Sequence, residues 1–210
     1  MKTSRFFSGL CLFLGLGLAF FSICLVMGQP GTQPTLIGST QAPRDQVVAA
    51  MDAICAGDFS GAQQYLLGQP SLGVDRELED PAAAMIWQAF VQSLSYELSG
   101  ECYATDTGVA QDITLTCLDI TSVTANLAQR SEKHLTRLQK EATHISELYD
   151  DDGNYRQDVV MKVLSTVVKE ALKEDSQQTT CTFTLQLVSR KGQWYIRPNS
   201  EFISALLGGI

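Results

Sequence analysis

Histidine is almost absent from this 210-residue chain, and its six cysteines include no CxxC pair. The usual ligand spacing for zinc is therefore missing. The only histidines, His134 and His144, lie ten residues apart on a helical stretch. At about 100° and 1.5 Å per residue they stand roughly 80° and 15 Å apart, so they do not share one ion and read as solvated surface residues. GxSxG, a glycine-rich phosphate loop and a neighbouring Cys/His pair are also missing, which removes the recognisable signatures of acyl and phosphoryl transfer. Cations are few: 15 Lys and Arg stand against 23 Asp and Glu, a net charge of −8. Lys2 and Arg5 belong to the N-terminal segment, so the rest carries 13 cations against 23 acids, near −10. That balance disfavours nucleic acid and anionic headgroups as partners and favours solubility. No cofactor and no metal are expected.

What is present begins with an uncharged apolar run, residues 6–28, preceded by Lys2 and Arg5. A helix needs roughly 20 apolar residues to cross a bilayer. Positive charge ahead of the run keeps the N-terminus inside and sends the remainder out. Residues 1–28 therefore read as a retained single-span signal anchor through which the chain meets the lipid bilayer. The competing reading is a cleaved signal peptide and a secreted product. A signal's apolar core is usually shorter, and Val26-Met27-Gly28 is a poor cleavage site. Ile23 before Cys24 does not fit a lipoprotein signal. Residues 29–43 hold three of the six prolines, two glycines and no charge, the composition of a flexible tether. Residues 44–210 have the size of one ordinary domain.

The apolar spacing of residues 45–56 predicts a helix, with Val47, Val48, Met51, Ile54 and Cys55 on one face. Ser60 is a candidate cap for a short helix to Leu67, followed by a loop at 68–73. Asp80-Pro81 marks the start of a third helix near 81–93, with Met85, Ile86, Ala89 and Phe90 inward. The period then becomes two. Tyr96, Leu98 and Cys102 share a face of one strand, Asp106-Thr107-Gly108 turns the chain, and residues 112–121 form a second strand with Ile113, Leu115 and Cys117 on one side. Helical spacing returns over 123–149, through Leu135, Leu138, Ala142, Ile145 and Leu148/Tyr149. Asn154 with Gln157 is a candidate capping pair for a helix that buries Val160, Val163, Leu164, Val167 and Leu172. Residues 123–175 thus read as an antiparallel helical hairpin. Strands resume at 179–189, with Cys181, Phe183, Leu185 and Leu187 inward, and at 193–198 after Arg190-Lys191-Gly192. Ser200 is placed to cap a closing helix before Gly208-Gly209.

The phrases ITLTCLDITSV, TFTLQLVSRKGQWYI and ISALLGG, in this order of elements, resemble membrane-anchored bacterial domains of the nuclear transport factor 2-like (cystatin-like, ketosteroid-isomerase-like) superfamily. The resemblance covers about residues 45–209. It implies an α+β fold in which a curved antiparallel sheet wraps N-terminal helices into a cone, here with the helical hairpin inserted. It implies a conical cavity that binds small ligands in some members, catalyses in a few and is filled in many. Isomerases of the superfamily use a pocket tyrosine and aspartates, which points to Tyr96 and Asp119.

Trp87, Tyr96, Asp119, Phe183 and Trp194 are the candidate pocket-lining residues. Each has a plainer use: the aromatics as core, Asp119 as a cap. Cys102, Cys117 and Cys181 lie on apolar faces in a compartment that permits disulfides. Cys102–Cys181 and Cys117–Cys181 are the leading pairs, and buried free thiols the alternative. Asp150-Asp151-Asp152-Gly153-Asn154 lacks the glycine and glutamate positions of a calcium loop and reads as an acidic turn. The expected role is an extracytoplasmic, membrane-anchored binding or interaction domain. The partner is a small apolar ligand or a cell-envelope protein. A structural module with a filled cavity, using the hairpin as its contact surface, stays open beside it, and an isomerase-like enzyme is third.

Overall fold

The computed structural model describes residues 42–70, 72, 78 and 80–206. The anchor at 6–28, the tether up to residue 41 and Gly208-Gly209 lie outside the described residues. Among the described residues no helix is long and apolar enough to cross a membrane. The chain is α+β. Its elements run α1 (Pro43–Cys55), α2 (Phe59–Gln63), α3 (Pro81–Ser93), β1 (Ser95–Thr105), β2 (Gly108–Leu118), α4 (Ile120–Thr124), α5 (Leu127–Glu141), a short 3-10 helix (Ile145–Glu147), α6 (Gln157–Glu174), β3 (Gln178–Arg190), β4 (Gln193–Arg197) and α7 (Ser200–Leu206). The Cα positions group into two compact units. A helical one holds Glu77–Ala89 and Asp119–Gln177; a sheet one holds the rest of the described chain.

In the sheet unit the strands run in the order β1-β2-β3-β4, every neighbour antiparallel. Register puts Ile113 opposite Leu98 and Phe183, and Leu187 opposite Val109 and Ile196. One face therefore collects Leu98, Ile113, Leu115, Phe183, Leu185, Leu187 and Ile196. Helix α1 packs on that sheet with Val47, Ala50, Met51 and Ile54, all fully buried. Phe202 of α7 lies against Phe183, ring centroids 5.9 Å apart. The opposite face carries Thr114, Thr116, Thr180, Thr182 and Thr184, as period-two alternation requires. Lys191 (φ 52°) and Gly192 (φ 80°) are both left-handed, the two-residue hairpin geometry that matches strand twist. The outer edge of β4 is covered by Tyr65–Leu67: Leu67 donates its N–H to the Ile196 carbonyl at 2.7 Å, and Ile196 donates to Tyr65 at 2.9 Å.

Two helix starts differ from the sequence reading, by two residues at α2 and by one at α7, because the cap is the preceding carboxylate or amide. Asp58, not Ser60, caps α2, accepting from Gly61 N–H at 2.7 Å. Asn199, not Ser200, caps α7, accepting from Phe202 N–H at 2.8 Å. Asp80 does cap α3 as expected, accepting from Ala82 N–H at 2.8 Å. Strand β2 ends at Leu118, and Asp119 leaves the sheet to cap α4 through Ser122 N–H at 3.2 Å. The long helix expected over 123–149 is three pieces. Thr124 turns its hydroxyl back onto the Ile120 carbonyl at 2.9 Å, a bond that competes with helix continuation. At Ala142 the backbone becomes extended (ψ 130°), and Ile145, expected inward, is 79% exposed. Asn154 does not cap α6: the N-cap position is Arg156, two residues on and without a side-chain cap, and Asn154 lies in a tight turn where its backbone N–H donates to Asp150 Oδ1 at 2.8 Å. Leu138, Val160 and Leu172 are half-buried, whereas Leu135, Val163, Leu164 and Val167 are buried.

Candidate functional site

The helical unit carries the densest arrangement of charged side chains. Helices α5 and α6 are in contact, and Leu127, Leu135, Leu164 and Val167 are among their buried apolar residues, along with Val163 and Val168. Beside them runs a seam of ion pairs. Arg130 of α5 forks onto Glu174 Oε2 at 2.8 Å and Asp175 Oδ2 at 2.7 Å. One turn on, His134 Nε2 meets Glu170 Oε2 at 2.9 Å, and Arg137 meets His134 Nδ1 at 3.2 Å. A guanidinium only donates, so Arg137 leaves the ring proton on Nε2, where it is given to Glu170. His134 is 14% exposed, so the expectation of a solvated surface histidine is corrected for it; His144 is exposed. Pairing residue 130 with 174 and 134 with 170 sets the two helices antiparallel, as the facing apolar stripes implied.

Beyond the seam both helices turn the same chemistry to solvent. At about 100° per residue, Lys133, Arg137 and Lys140 fall within roughly 60° on α5, and Lys162, Lys169 and Lys173 within roughly 40° on α6. All six are exposed, and none of the five lysines makes an ion pair among the described residues. On each helix the arc lies opposite the buried stripe. An open groove of about 490 Å³ is lined by Asn126, Gln129 and Lys133 together with Arg130, His134, Glu170 and Glu174 of the seam. The two helices hold seven Lys and Arg against five Asp and Glu in a chain of net charge −8. Over residues 123–177, with the connecting turn and Asp175 included, the count is eight Lys and Arg against ten Asp and Glu. Arg130 brings one positive charge to two carboxylates, and Arg137 also pairs with Glu141, so the seam keeps acidic charge of its own, with the five exposed lysines outside it.

Of the residues proposed from sequence as pocket lining, Trp87 and Asp119 belong to the helical unit and Tyr96, Phe183 and Trp194 to the sheet unit. Tyr96 and Trp194 share the packed sheet face but not a level. Tyr96 aligns with Leu115 and through it with Cys181, whereas Trp194 aligns with Ser189. Eight residues at about 3.4 Å each put roughly 27 Å between those levels. Phe183 is 5% exposed and packed on Phe202. The hydroxyl of Tyr96 donates to Asp52 Oδ1 at 2.7 Å, while Asp119 is occupied as a cap. Burial first, then the Asp52 hydrogen bond, raises the Tyr96 phenol above its ordinary range. Burial, then the Asp52 charge, also raises the Cys55 thiol to about 11. Asp52 was invisible as a partner because it is 44 residues away in sequence.

Cys55, Cys102, Cys117 and Cys181 are not joined in disulfides. The register explains why the proposed bridges do not form. Cys117 aligns with Thr179 and Cys181 with Leu115, an offset of two residues between neighbouring strands. That diagonal exceeds the roughly 7 Å Cα limit of a disulfide. Cys102 is farther from Cys181, with β2 between them. Its thiol instead donates to Gln111 Oε1 at 3.1 Å, where β1 bulges between Ser99 and Tyr103. Gln111 is fully buried and satisfied: its amide donates to the Ser99 and Asp112 carbonyls at 3.1 and 3.0 Å. The acidic turn is organised by Asp150, whose Oδ1 accepts from Asp152 and Asn154 N–H groups. Among the described residues no group of three or more His, Cys, Asp or Glu is placed to hold a metal.

Sequence reasoning missed the cationic face. Its signal was legible: cations at 133, 137 and 140 step by four and three, and those at 162, 169 and 173 by seven and four. Compared with protein-family models, curated proteins and solved structures, the chain matches none.

Proposed function

We propose that this chain is an extracytoplasmic binding or interaction domain, held at the cell membrane by residues 6–28, whose contact surface is the outward face of the α5–α6 hairpin. The observation that carries the reading is a contrast between two surfaces. The sheet face that would line a ligand cavity is occupied by the chain's own Met51, Ile54, Phe183, Leu185, Leu187 and Phe202, buried or nearly so. The hairpin face offers exposed cations and the carboxamides Asn126 and Gln129 around an open groove. A filled core favours the interaction module over the small-molecule binder and over pocket catalysis. The order of helices, strand pair, helical hairpin, strand pair and closing helix supports membership of the nuclear transport factor 2-like superfamily, with a cone-shaped sheet and an inserted hairpin. That fold by itself assigns no activity.

The test places a photo-crosslinking amino acid at Gln129, and in a separate variant at Thr182 on the hydroxyl-rich sheet face, in the full chain in its own membranes. Irradiation should give adducts from position 129 and few from 182. Equal yields at both positions, or none from 129, would refute the assignment of the contact surface. N-terminal sequencing of the same preparation should find residues 6–28 attached.

A further inference from the structure

We propose that Tyr149 and Tyr155 form a site for oxidative coupling, at which a peroxide-driven one-electron oxidant joins the two rings through a carbon–carbon bond. The inference concerns the tip of the α5–α6 hairpin and stands apart from the identity of any partner. It starts from the turn that leads into α6. Asp150 N–H donates to the Asn154 carbonyl at 2.9 Å, and Arg156 N–H to the Leu148 carbonyl at 2.9 Å. Tyr149 and Tyr155 face each other between those bonds as an isolated antiparallel bridge. In such a non-hydrogen-bonded pair the Cα atoms lie only about 4.5 Å apart, and the side chains leave the backbone on one side. The turn itself is fixed by Asp150, whose Oδ1 accepts from the Asp152 and Asn154 N–H groups, and by Gly153 at φ 76°.

The rings then stack, centroids 4.6 Å apart and planes 26° from parallel. Stacking alone leaves open which ends of the rings meet. Gln139 of α5 settles it: its Nε2 donates to both phenol oxygens, each at 2.6 Å. The oxygens are therefore at the same end of the stack and no farther apart than twice that distance. The carbons beside each oxygen carry unpaired spin in an oxidised phenol, and this alignment brings them over one another. Burial first, then the hydrogen bond to Tyr149, raises the Tyr155 phenol above its ordinary range, so it enters the reaction neutral. Both rings are half-buried beside an exposed Gln139, within reach of a solvent-borne oxidant. Tyr96 and Tyr103 instead give their hydroxyls to carboxylates, Asp52 and Asp112.

In the reaction each phenol loses one electron and its O–H proton. The two phenoxyl radicals join through one ring carbon apiece, next to the oxygen. Each joined carbon then sheds its hydrogen as a proton and each oxygen regains one, which restores both phenols. Two electrons and two protons in all pass to one hydrogen peroxide, which becomes two waters. Holding the partners in place makes the coupling unimolecular, so it outruns encounters between chains. The product closes residues 149–155 into a covalent ring around the acidic turn.

The experiment treats the full chain, dilute in detergent micelles, with hydrogen peroxide and a haem peroxidase, followed by tryptic digestion and mass spectrometry. Trypsin cuts after Lys140 and Arg156 and nowhere between, so both rings fall in one peptide. That peptide should appear two hydrogens lighter, with no fragments from breakage between 149 and 155. Its yield should exceed that of Tyr103-linked dimers several-fold, although Tyr103 is 45% exposed. Tyr155→Phe should abolish it. Gln139→Leu should lower it several-fold with Tyr103 coupling unchanged, a split that general loss of fold would not give. Unfolding in urea should lower it likewise, because the rings are then no longer aligned. Coupling mainly through Tyr103 would overturn the proposal, as would an undiminished yield from the urea-unfolded chain or from Gln139→Leu.

Discussion

Leu164→Ala should cost about 3 kcal/mol, and Leu138→Ala about 1 kcal/mol, although both leucines lie on hairpin stripes that look alike in sequence. Leu164 is 5% exposed on α6, so truncation removes a buried side chain and leaves a void that packed helices close only partly. Leu138 sits near the C-terminal end of α5 and is half-buried, so it forfeits about half the transfer term and little cavity term. The measurement is urea unfolding of residues 42–210 with Trp194→Phe as background, which leaves Trp87 of the helical unit as the fluorescent reporter. With a slope of about 1–3 kcal/mol/M, Leu164→Ala should lower the midpoint by roughly 1–2 M, with the slope unchanged. Equal effects of the two substitutions, or a Leu164 effect under about 0.5 kcal/mol, would refute the burial assignment of the seam.

Gln111→Ala should destabilise the chain by about 2–4 kcal/mol, because it leaves the Ser99 and Asp112 carbonyls and the Cys102 thiol at the bulge without their partner; a loss below about 0.5 kcal/mol in the same assay would mean the bulge does not depend on it. Cys55 should alkylate at pH 8 about 100-fold more slowly than an unperturbed thiol, since its ionisation is displaced to about 11 and the thiolate is the nucleophile. The sign for stability follows: the folded thiol is held neutral, a contribution complete below the ordinary thiol range and lost as pH rises through about 11. Peptide-resolved iodoacetamide kinetics check it, and an ordinary rate for Cys55 at pH 8 would contradict burial as the cause.

The strands were legible because their cause is local. Period-two alternation in residues 112–118 and 181–187, with β-branched residues on the pleat, specifies a half-buried strand wherever the partner lies. The same holds for the Asp80-Pro81 helix start and the glycine-assisted turn at Lys191-Gly192. Nothing local separates Asp58 from Ser60 as a cap, or foretells that Asn154 would be consumed by a tight turn. Those outcomes depend on which backbone N–H is left orphaned, and that follows from tertiary packing.

The sequence by itself determined the chemistry available: an apolar N-terminal run, an alternating pattern that makes a sheet, two amphipathic helices, and cations stepping along them by three, four and seven. Only the tertiary structure decided what each group does. Tyr96 turned to Asp52 because α1 packs on β1. Cys117 and Cys181 stayed thiols because the register offsets them by two residues. Glu170, Glu174 and Asp175 pair with His134 and Arg130 across the hairpin, whereas the five lysines of the two helices stay exposed and unpaired among the described residues. Charges are counted along the chain, but they are paired across space, and the pairing decides which of them remain free to meet a partner.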